Sequence, residues 1–554
     1  MKTRIVHRML VCFFVVTCRV PGVHAQVSLE QSSFLGGNGT DDARGVAVAP
    51  DGCIWVCGYT MSTNFPLVNA TDSTLGGSQD GFVSKFSPDG RTLLFSTYLG
   101  GSGDDIAYGI TVDAEGSVYI CGTTDSGNFP TRNPFQASLN GFWTDNFICK
   151  LDASGTNMVY SSYLGGSFFD YCYSIAVDTS GCAYVAGMSY STDFPVVNPY
   201  QSTNMLASGY NFTLTKVASN GASMVYSTYL GGSGAGHEDP RVAVTPDGIA
   251  YFAGSTTSTN YPVVNPYQTN HAGPSPNSWD TVVSVFSADG SSLTYSTYLG
   301  GSEDIDKAIC IAVGEDRAIT LVGHTQSDNF PVTNAIQASI MAQPDLFVTR
   351  FTPAGDALDF STYLGGWDWD YGAGIALGDN GSVVAIGIGV SLNYPTYEAY
   401  QPTNAGGYEA VVSQLSPAGT SFVYSTYLGG SGSDFGRAAA YDSNGAVIVV
   451  GRAESANFPT VQAFQETKAG GADGFVARLK MNPVHMSGIS FTGGMVRVQW
   501  AGEGSVFTQR LMRADSLDSP QQWSCIHTCV PGAARSRDTT GLSDAFFRVD
   551  VEKP

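Results

Sequence analysis

The chain has 554 residues with 66 glycines, 12% aromatic residues and only 13% charged residues, and its formal net charge is −22. Charged residues make up about 25% of ordinary soluble domains, so this composition is poor in the Lys and Glu on which helical bundles and coiled coils depend. An acidic surface repels phosphate backbones and anionic lipids, which argues against nucleic-acid binding and polybasic membrane docking.

The first 25 residues have the pattern of a secretory signal peptide. Lys2, Arg4 and Arg8 precede an apolar run from Met9 to Val16, and a cut after Ala25 follows small or apolar residues. Cleavage there leaves 22 basic against 48 acidic residues, a net charge of −26. No stretch is long enough for a transmembrane helix. We expect a secreted or cell-surface protein, monomeric and without a membrane span.

A tetrad made of an aromatic residue, Leu and two glycines recurs seven times, at intervals of 64 to 69 residues. The tetrads begin at Phe34, Tyr98, Tyr163, Tyr229, Tyr298, Tyr363 and Tyr427. Each repeat carries four strand signals, named A to D here, and tight A–B and C–D turns. Gly supplies the positive φ of the A–B turn in six of seven repeats and of all six C–D turns.

The two ends of the repeat region complement each other. A lone strand D opens it, from Val27 to Leu35, and a lone strand C closes it, from Phe475 to Leu479. Pairing these strands closes a ring and hides the sheet edges that promote aggregation. The sequence therefore predicts an all-β fold, a seven-bladed β-propeller over residues 26–481 whose N-terminal strand completes the last blade.

The repeat contains Tyr-Ser-Thr-Tyr-Leu-Gly-Gly, Ile-Ala-Val-Asp, Tyr-Val-x-Gly, Asn-Phe-Pro and Asp-x-Phe-Val. In these motifs it resembles the bacterial SBBP repeat family over residues of about 30–480. The resemblance implies a secreted or surface-displayed bacterial propeller, and it brings no catalytic signature.

Residues 482–554 break the repeat and predict a small C-terminal β module, used for anchoring or spacing. Cys525 and Cys529 are the only cysteines there, and a disulfide between them requires the chain to turn between the two positions.

The D–A loops carry an acid five residues before the core of strand A. These acids are Asp41, Asp105, Asp170, Asp306, Asp370 and Asp434, and the fourth repeat has His237-Glu238-Asp239 instead. A carboxylate ring at a channel mouth suits Ca²⁺. Alternatively, each Asp caps its own Gly-Gly turn by accepting backbone N–H bonds, and recurrence in almost every repeat favours this structural role.

The B–C loops all contain an aromatic-Pro pair, such as Phe129-Pro130, and six of them carry a Gln a few residues later, such as Gln136. A ring of ligand-binding aromatics is one interpretation. We favour the other, in which the aromatic ring packs between blades and Pro stiffens the loop.

Departures from the repeat are the better functional signal, because a single site breaks symmetry. The candidate ligand-binding residues are Trp367, Asp368, Trp369 and Asp370 in repeat six, Phe168 and Phe169 in repeat three, and Trp143 and Trp279 in enlarged B–C loops. Aromatic platforms beside carboxylates suit sugar stacking or peptide capture. The alternative is that these rings fill gaps between loops.

The sequence contains no G-x-S-x-G, H-E-x-x-H or P-loop motif, so no catalytic residue is predicted and Ca²⁺ is the only cofactor considered. We expect a non-enzymatic binding or scaffold protein for an extracellular glycan or protein. One alternative is a polysaccharide hydrolase or lyase at the channel mouth, using carboxylate pairs such as Asp368 and Asp370. Another is a purely structural envelope component.

Overall fold

The computed structural model describes residues 26–206, 209–234, 236–274 and 277–482, together with separate strands between residues 485 and 552. The expected signal segment, residues 1–25, lies outside the described residues.

Seven four-stranded antiparallel sheets form the blades of a propeller, and blades 1 to 6 each use four consecutive strands. Blade 1 is β2 (Asp41–Val48), β3 (Ile54–Thr60), β4 (Asp80–Phe86) and β5 (Leu93–Leu99); blade 2 is β6 (Asp105–Val112), β7 (Val118–Thr124), β8 (Asp145–Leu151) and β9 (Met158–Leu164); blade 3 is β10 (Asp170–Val177), β11 (Ala183–Ser189), β12 (Asn211–Val217) and β13 (Met224–Leu230). Blade 4 is β14 (His237–Val244), β15 (Ala250–Thr256), β16 (Asp280–Phe286) and β17 (Leu293–Leu299); blade 5 is β18 (Asp306–Val313), β19 (Ile319–Thr325), β20 (Asp345–Phe351) and β21 (Leu358–Leu364); blade 6 is β22 (Asp370–Leu377), β23 (Val383–Gly389), β24 (Glu409–Leu415) and β25 (Phe422–Leu428).

Blade 7 joins the two ends of the propeller. It contains β26 (Asp434–Tyr441), β27 (Val447–Ala453) and β28 (Asp473–Asn482), and β1 (Gln26–Leu35) adds as its outer strand. The inner strands of neighbouring blades pack together, including β2 of blade 1 against β26 of blade 7, so the ring is closed. The predicted seven-bladed, all-β architecture with a shared last blade is confirmed.

The hydrophobic core lies between adjacent blades. Trp55 and Phe95 of blade 1, for example, share a buried cluster with Ile120 and Phe147 of blade 2. Middle strands such as β7 and β16 are buried along their whole length, because sheets cover both faces. The few charged residues in the sequence follow from these doubly covered strands.

Each inner strand of blades 1 to 3 and 5 to 7 carries a β-bulge at its fourth residue, where the register with strand B skips one position. In blade 4 the register skips two residues, Asp239 and Pro240, and Asp239 has a φ of 57°. A bulge twists a strand and redirects a side chain. The hydrophobic pattern of the repeat does not predict these bulges.

Beyond the propeller, β29 (His485–Thr492), β30 (Met495–Ala501) and β33 (Asp538–Thr539) form one three-stranded sheet. A second sheet contains β31 (Thr508–Ala514), β32 (Ser524–Cys529) and β34 (Phe546–Glu552). Cys525 and Cys529 both lie in β32, so the turn that their pairing requires is absent between them. Chain contacts delimit the propeller unit as Val27–Met481.

Within the part of the chain that the structure describes, no helix has the length and hydropathy needed to cross a membrane.

Candidate functional site

The D–A and B–C loops meet on one face of the propeller, which we call the loop face. Asp105 shows how the loops are joined. Its Oδ2 accepts hydrogen bonds from the backbone N–H of Gly101 at 2.7 Å and from Ser126 Oγ of the B–C loop at 2.7 Å. Asp41, Asp170, Asp306, Asp370 and Asp434 make the equivalent bonds at 2.6–2.9 Å. Each of these acids caps a Gly-Gly turn.

A second ring of acids lies against the first, and sequence reasoning missed it. Asp80, the first residue of β4, accepts backbone N–H bonds from Gly76 at 2.8 Å and Gly77 at 3.1 Å. A Cβ on Gly100 would lie 2.7 Å from Asp80 Cγ and 2.8 Å from Asp105 Oδ2. Gly100 is therefore Gly because the strand-C acid of one blade and the strand-A acid of the next flank it.

The same pairing occurs at six of the seven blade junctions. The pairs are Asp80 with Asp105, Asp145 with Asp170, Asp280 with Asp306, Asp345 with Asp370, Glu409 with Asp434, and Asp473 with Asp41. The junction between blades 3 and 4 has Asn211 and His237 instead, and Gly232 N–H donates to His237 Nε2 at 3.2 Å. Neither position at this junction therefore carries a carboxylate.

Burial raises the pKa of these acids, because the charged form loses its hydration. The pKa of Asp41 and Asp370 rises to about 6, that of Asp105, Asp170, Asp306, Asp345 and Glu409 to about 7, and that of Asp145 to about 8. Hydrogen bonds from the turns oppose the rise, and in most pairs the neighbouring acid adds to it.

The Ca²⁺ alternative is not favoured by this geometry. Oδ2 of each cap acid already accepts hydrogen bonds from a backbone N–H and a hydroxyl group, so both of its lone pairs are used. Within the described residues, no group of three or more His, Cys, Asp or Glu side chains is placed to hold a metal ion.

The aromatic-Pro pairs and the Gln residues also have local partners. Phe129 is buried and its ring lies 4.5 Å from that of Phe147 in the same blade. Gln136 Nε2 donates to Asp145 at 2.9 Å, and Gln136 Oε1 accepts from Gly165 N–H at 3.0 Å. These residues hold the loop face together beneath its surface.

Three candidate aromatics from two separate loops converge on the loop face. The Trp143 ring lies 4.6 Å from that of Phe169 and 5.9 Å from that of Phe168. Trp143 is 45% exposed and Phe168 is 47% exposed. Beside them, the exposed Asp193 carboxylate accepts from Ser167 Oγ at 3.0 Å. We call Trp143, Phe168 and Phe169 the blade-3 platform.

The blade-3 platform continues inward through rings that the sequence analysis did not single out. Phe169 stacks with Tyr171 at 6.0 Å and contacts Tyr190, which lies 4.6 Å from Tyr210. Tyr210 Oη donates to Glu238 at 3.2 Å. The contacts of Tyr190 with Phe169 and Tyr210 join positions 21 and 20 residues apart, so the sequence does not predict them.

The repeat-six candidates lie elsewhere on the same face. Trp367 is 77% exposed and Trp369 is 50% exposed, and the Trp367 N–H donates to Asn393 of the neighbouring B–C loop at 2.9 Å. They stand three blades from the blade-3 platform, nearly opposite in a seven-blade ring. Asp368 is exposed beside them, whereas Asp370 is a buried cap.

Trp279 is not part of an exposed platform. Its ring lies 4.1 Å from Lys307 Nζ, and Lys307 pairs with Glu238. A Cβ on Gly236 would collide with the Trp279 ring, so this Trp packs under the fourth blade's D–A loop. The gap-filling interpretation applies to this residue.

Residues 94–130 and 159–195 match the family model of the SBBP beta-propeller repeat. Both segments begin in a strand D and end at the aromatic-Pro pair of the next B–C loop. The match covers parts of two of the seven repeats. A search of curated proteins finds no match to this chain.

Three solved structures are similar to this chain at low identity and low TM-score. A protein of unknown function from Dyadobacter fermentans DSM 18053 is 12% identical with a TM-score of 0.40, covering 84% of this chain and 100% of its own. A fungal alcohol oxidase of the AA5 family in complex with copper is 10% identical (TM-score 0.42; 95% and 89% covered). A PL25 ulvan lyase is 9% identical (TM-score 0.42; 80% and 95% covered). None of these likenesses assigns a function to this chain.

Proposed function

We propose that this chain is an exported, non-enzymatic binding protein that holds extracellular carbohydrate on the loop face of its propeller. The observation that carries the proposal is the blade-3 platform. It places two half-exposed aromatic rings from different loops side by side, and the D–A loops of blades 1, 2 and 7 carry Gly39, Gly103 and Gly432 where this loop carries Phe168.

The chemistry of the platform fits a sugar ring. Aromatic faces stack against the apolar C–H face of a pyranose, while nearby carboxylates accept hydrogen bonds from its hydroxyls. Asp193 is exposed next to Phe168 and supplies such an acceptor. Rigid loops favour binding because little conformational entropy is lost, and the cap acids fix the D–A loop from beneath.

Export rests on the sequence of residues 1–25, with its basic start and short apolar run. The acidic character of the chain is compatible with neutral glycans as ligands and disfavours polyanionic ones through repulsion.

The test is glycan-array and calorimetric binding by the full secreted chain and by the double variant Trp143→Ala with Phe168→Ala. We expect binding to weaken about tenfold or more, since each ring loses its stacking surface. Leu94→Ala is the matched control, because Leu94 is 39% exposed on the outer strand β5, away from the loop face. Unchanged binding by the double variant would contradict the proposal.

Two further outcomes separate the alternatives. If Trp367→Ala with Trp369→Ala abolishes glycan binding while the first double variant does not, the site belongs to blade 6. Turnover of a polysaccharide that Asp370→Asn abolishes would replace the binding proposal with the enzyme alternative. Capture of a protein with no glycan binding would favour the peptide alternative.

A further inference from the structure

The β-bulges of the inner strands create a ring of side chains around the central channel. The unpaired fourth residue of each inner strand is Arg44, Tyr108, Tyr173, Ile309, Ala373 or Arg437, and blade 4 presents Arg241 beside its wider bulge. We call these residues the bulge ring. The repeat explains why every blade contributes one residue to the ring. It does not explain which residue types occupy these positions.

Polar members of the bulge ring touch each other across blade boundaries. The Arg44 guanidinium lies 5.7 Å from the Tyr108 ring, Tyr108 lies 5.0 Å from Tyr173, and Tyr173 lies 5.7 Å from the Arg241 guanidinium. Four successive blades therefore present one continuous arc of cation, phenol, phenol and cation. Blades 5 and 6 present only Ile309 and Ala373 at this level.

The arginines of the bulge ring outnumber the carboxylates that form ion pairs with them. Arg44 Nε lies 3.0 Å from Asp42 Oδ2, and Arg437 contacts both oxygens of the same carboxylate at 3.1 Å and 3.3 Å. One buried carboxylate thus serves two guanidinium groups. Arg241 makes no ion pair with any carboxylate in the described residues, although Asp239 is near enough to feel its charge.

The ring is also open to a ligand. The side chains of Arg44 and Arg437 are 27% and 23% exposed. Neither the Tyr108 nor the Tyr173 hydroxyl makes a hydrogen bond to a described residue, and burial raises the pKa of both, so they remain donors. Free hydroxyl donors beside arginines that exceed their paired carboxylates are features of an anion-binding site.

We propose that the channel binds a small carboxylate-bearing ligand, a monomeric sugar acid, at the arc from Arg437 through Arg44, Tyr108 and Tyr173 to Arg241. Guanidinium forks match planar carboxylates, and the phenol rings offer a stacking face for the sugar. The acidic surface around the channel repels long polyanions, which limits the ligand to a small anion. This site is independent of the blade-3 platform.

The experiment titrates the full secreted chain with sodium glucuronate, glucose and sodium sulfate by calorimetry at fixed ionic strength. Glucuronate is expected to bind, with no saturable heat from glucose or sulfate. Arg437→Gln and Arg241→Gln are each expected to weaken glucuronate binding about tenfold or more. Arg437→Gln leaves Arg44 on Asp42, so that carboxylate stays paired. Arg91→Gln, at a half-exposed arginine of a C–D turn, is the control and should not change binding.

If glucose binds as tightly as glucuronate, the ligand's carboxylate has no role and the proposal is wrong. If sulfate binds as tightly as glucuronate, the site does not recognise a sugar and the proposal is also wrong. Wild-type affinity in both arginine variants places any bound anion outside the channel and also overturns the proposal. Thermal melting checks that the variants fold, and Arg241→Gln tests the site even where Arg437→Gln does not fold. Neutral-glycan binding at the blade-3 platform should persist in every arginine variant, which keeps the two proposals distinguishable.

Discussion

Single carboxylates organise the loop face residue by residue. The buried Asp105 accepts hydrogen bonds from one backbone N–H and one hydroxyl group, and Gly100 has no side chain that would separate it from Asp80. The recurrence of the acid in six D–A loops favoured a cap, and the hydrogen bonds of Asp105 are those of a cap. The strand-C acids were hidden, because Asp80 and Asp105 are 25 residues apart and only the fold of two blades brings them together.

Asp105→Ala should lower the free energy of unfolding by about 3 kcal/mol, because it leaves the Gly101 N–H and the Ser126 hydroxyl buried without an acceptor. Urea unfolding measures the change. Glu115→Ala, at an exposed turn of the same blade, should change it by less than about 0.5 kcal/mol. Equal losses in both variants would show that Asp105 is no cap.

The turns show how far elements were predictable. Gly with φ of 73–83° occupies the expected A–B position in six blades, and Arg317 occupies it in blade 5 with φ of 66°. The bulges were not predictable, because their residues range from Arg to Tyr, Ile and Ala without a shared property. The proposed channel site therefore could not be predicted from the sequence. The aromatics of repeats three and six could be, because they depart from the repeat.

Arg317→Gly should raise the free energy of unfolding by about 0.5 kcal/mol, because a non-Gly residue in the left-handed region is strained by about 1–2 kcal/mol and Gly loses more chain entropy. The substitution also removes the ion pair between Arg317 and Asp247, but this pair is exposed and contributes little to stability. The reverse change, Gly116→Ala at φ of 83°, should lower stability by about 1 kcal/mol. Denaturant midpoints compare the two, and stabilisation by Gly116→Ala would refute the turn argument.

At the scale of the molecule, the paired acids make folding depend on pH. Eight of them have a folded-state pKa between about 6 and 8, above the ordinary value near 4. Between the ordinary value and the raised value, the folded state binds more protons than the unfolded state. Stability therefore falls as pH rises through this window, and the full penalty is present above it.

The protein should accordingly become more stable on acidification from pH 8 to pH 5. His237 and His324 oppose this below about pH 6.5, because burial lowers their pKa to about 4 and about 3, but two groups are outnumbered by eight. Unfolding free energies across this range, at constant salt, measure the slope. A maximum at pH 8 would contradict the prediction.

A matched variant isolates one pair. Asp145→Asn copies the residue that blade 3 carries at the same position, Asn211, and should reduce the slope by as much as about 1.4 kcal/mol per pH unit. Asp89→Asn, an exposed acid whose pKa is lowered, should leave the slope between pH 6 and 8 unchanged.

The shared last blade has a consequence for the order of assembly. Ser28 of β1 bonds to Lys480 of β28 across 452 positions of the chain, whereas every other blade is built from one continuous segment. In an unfolded chain, closing so long a loop would cost about 5 kcal/mol of chain entropy before any contact is gained. Blades 1 to 6 need only local pairing, so we expect them to form before β1 pairs with β28. We also expect this non-covalent junction to open first when the propeller unfolds.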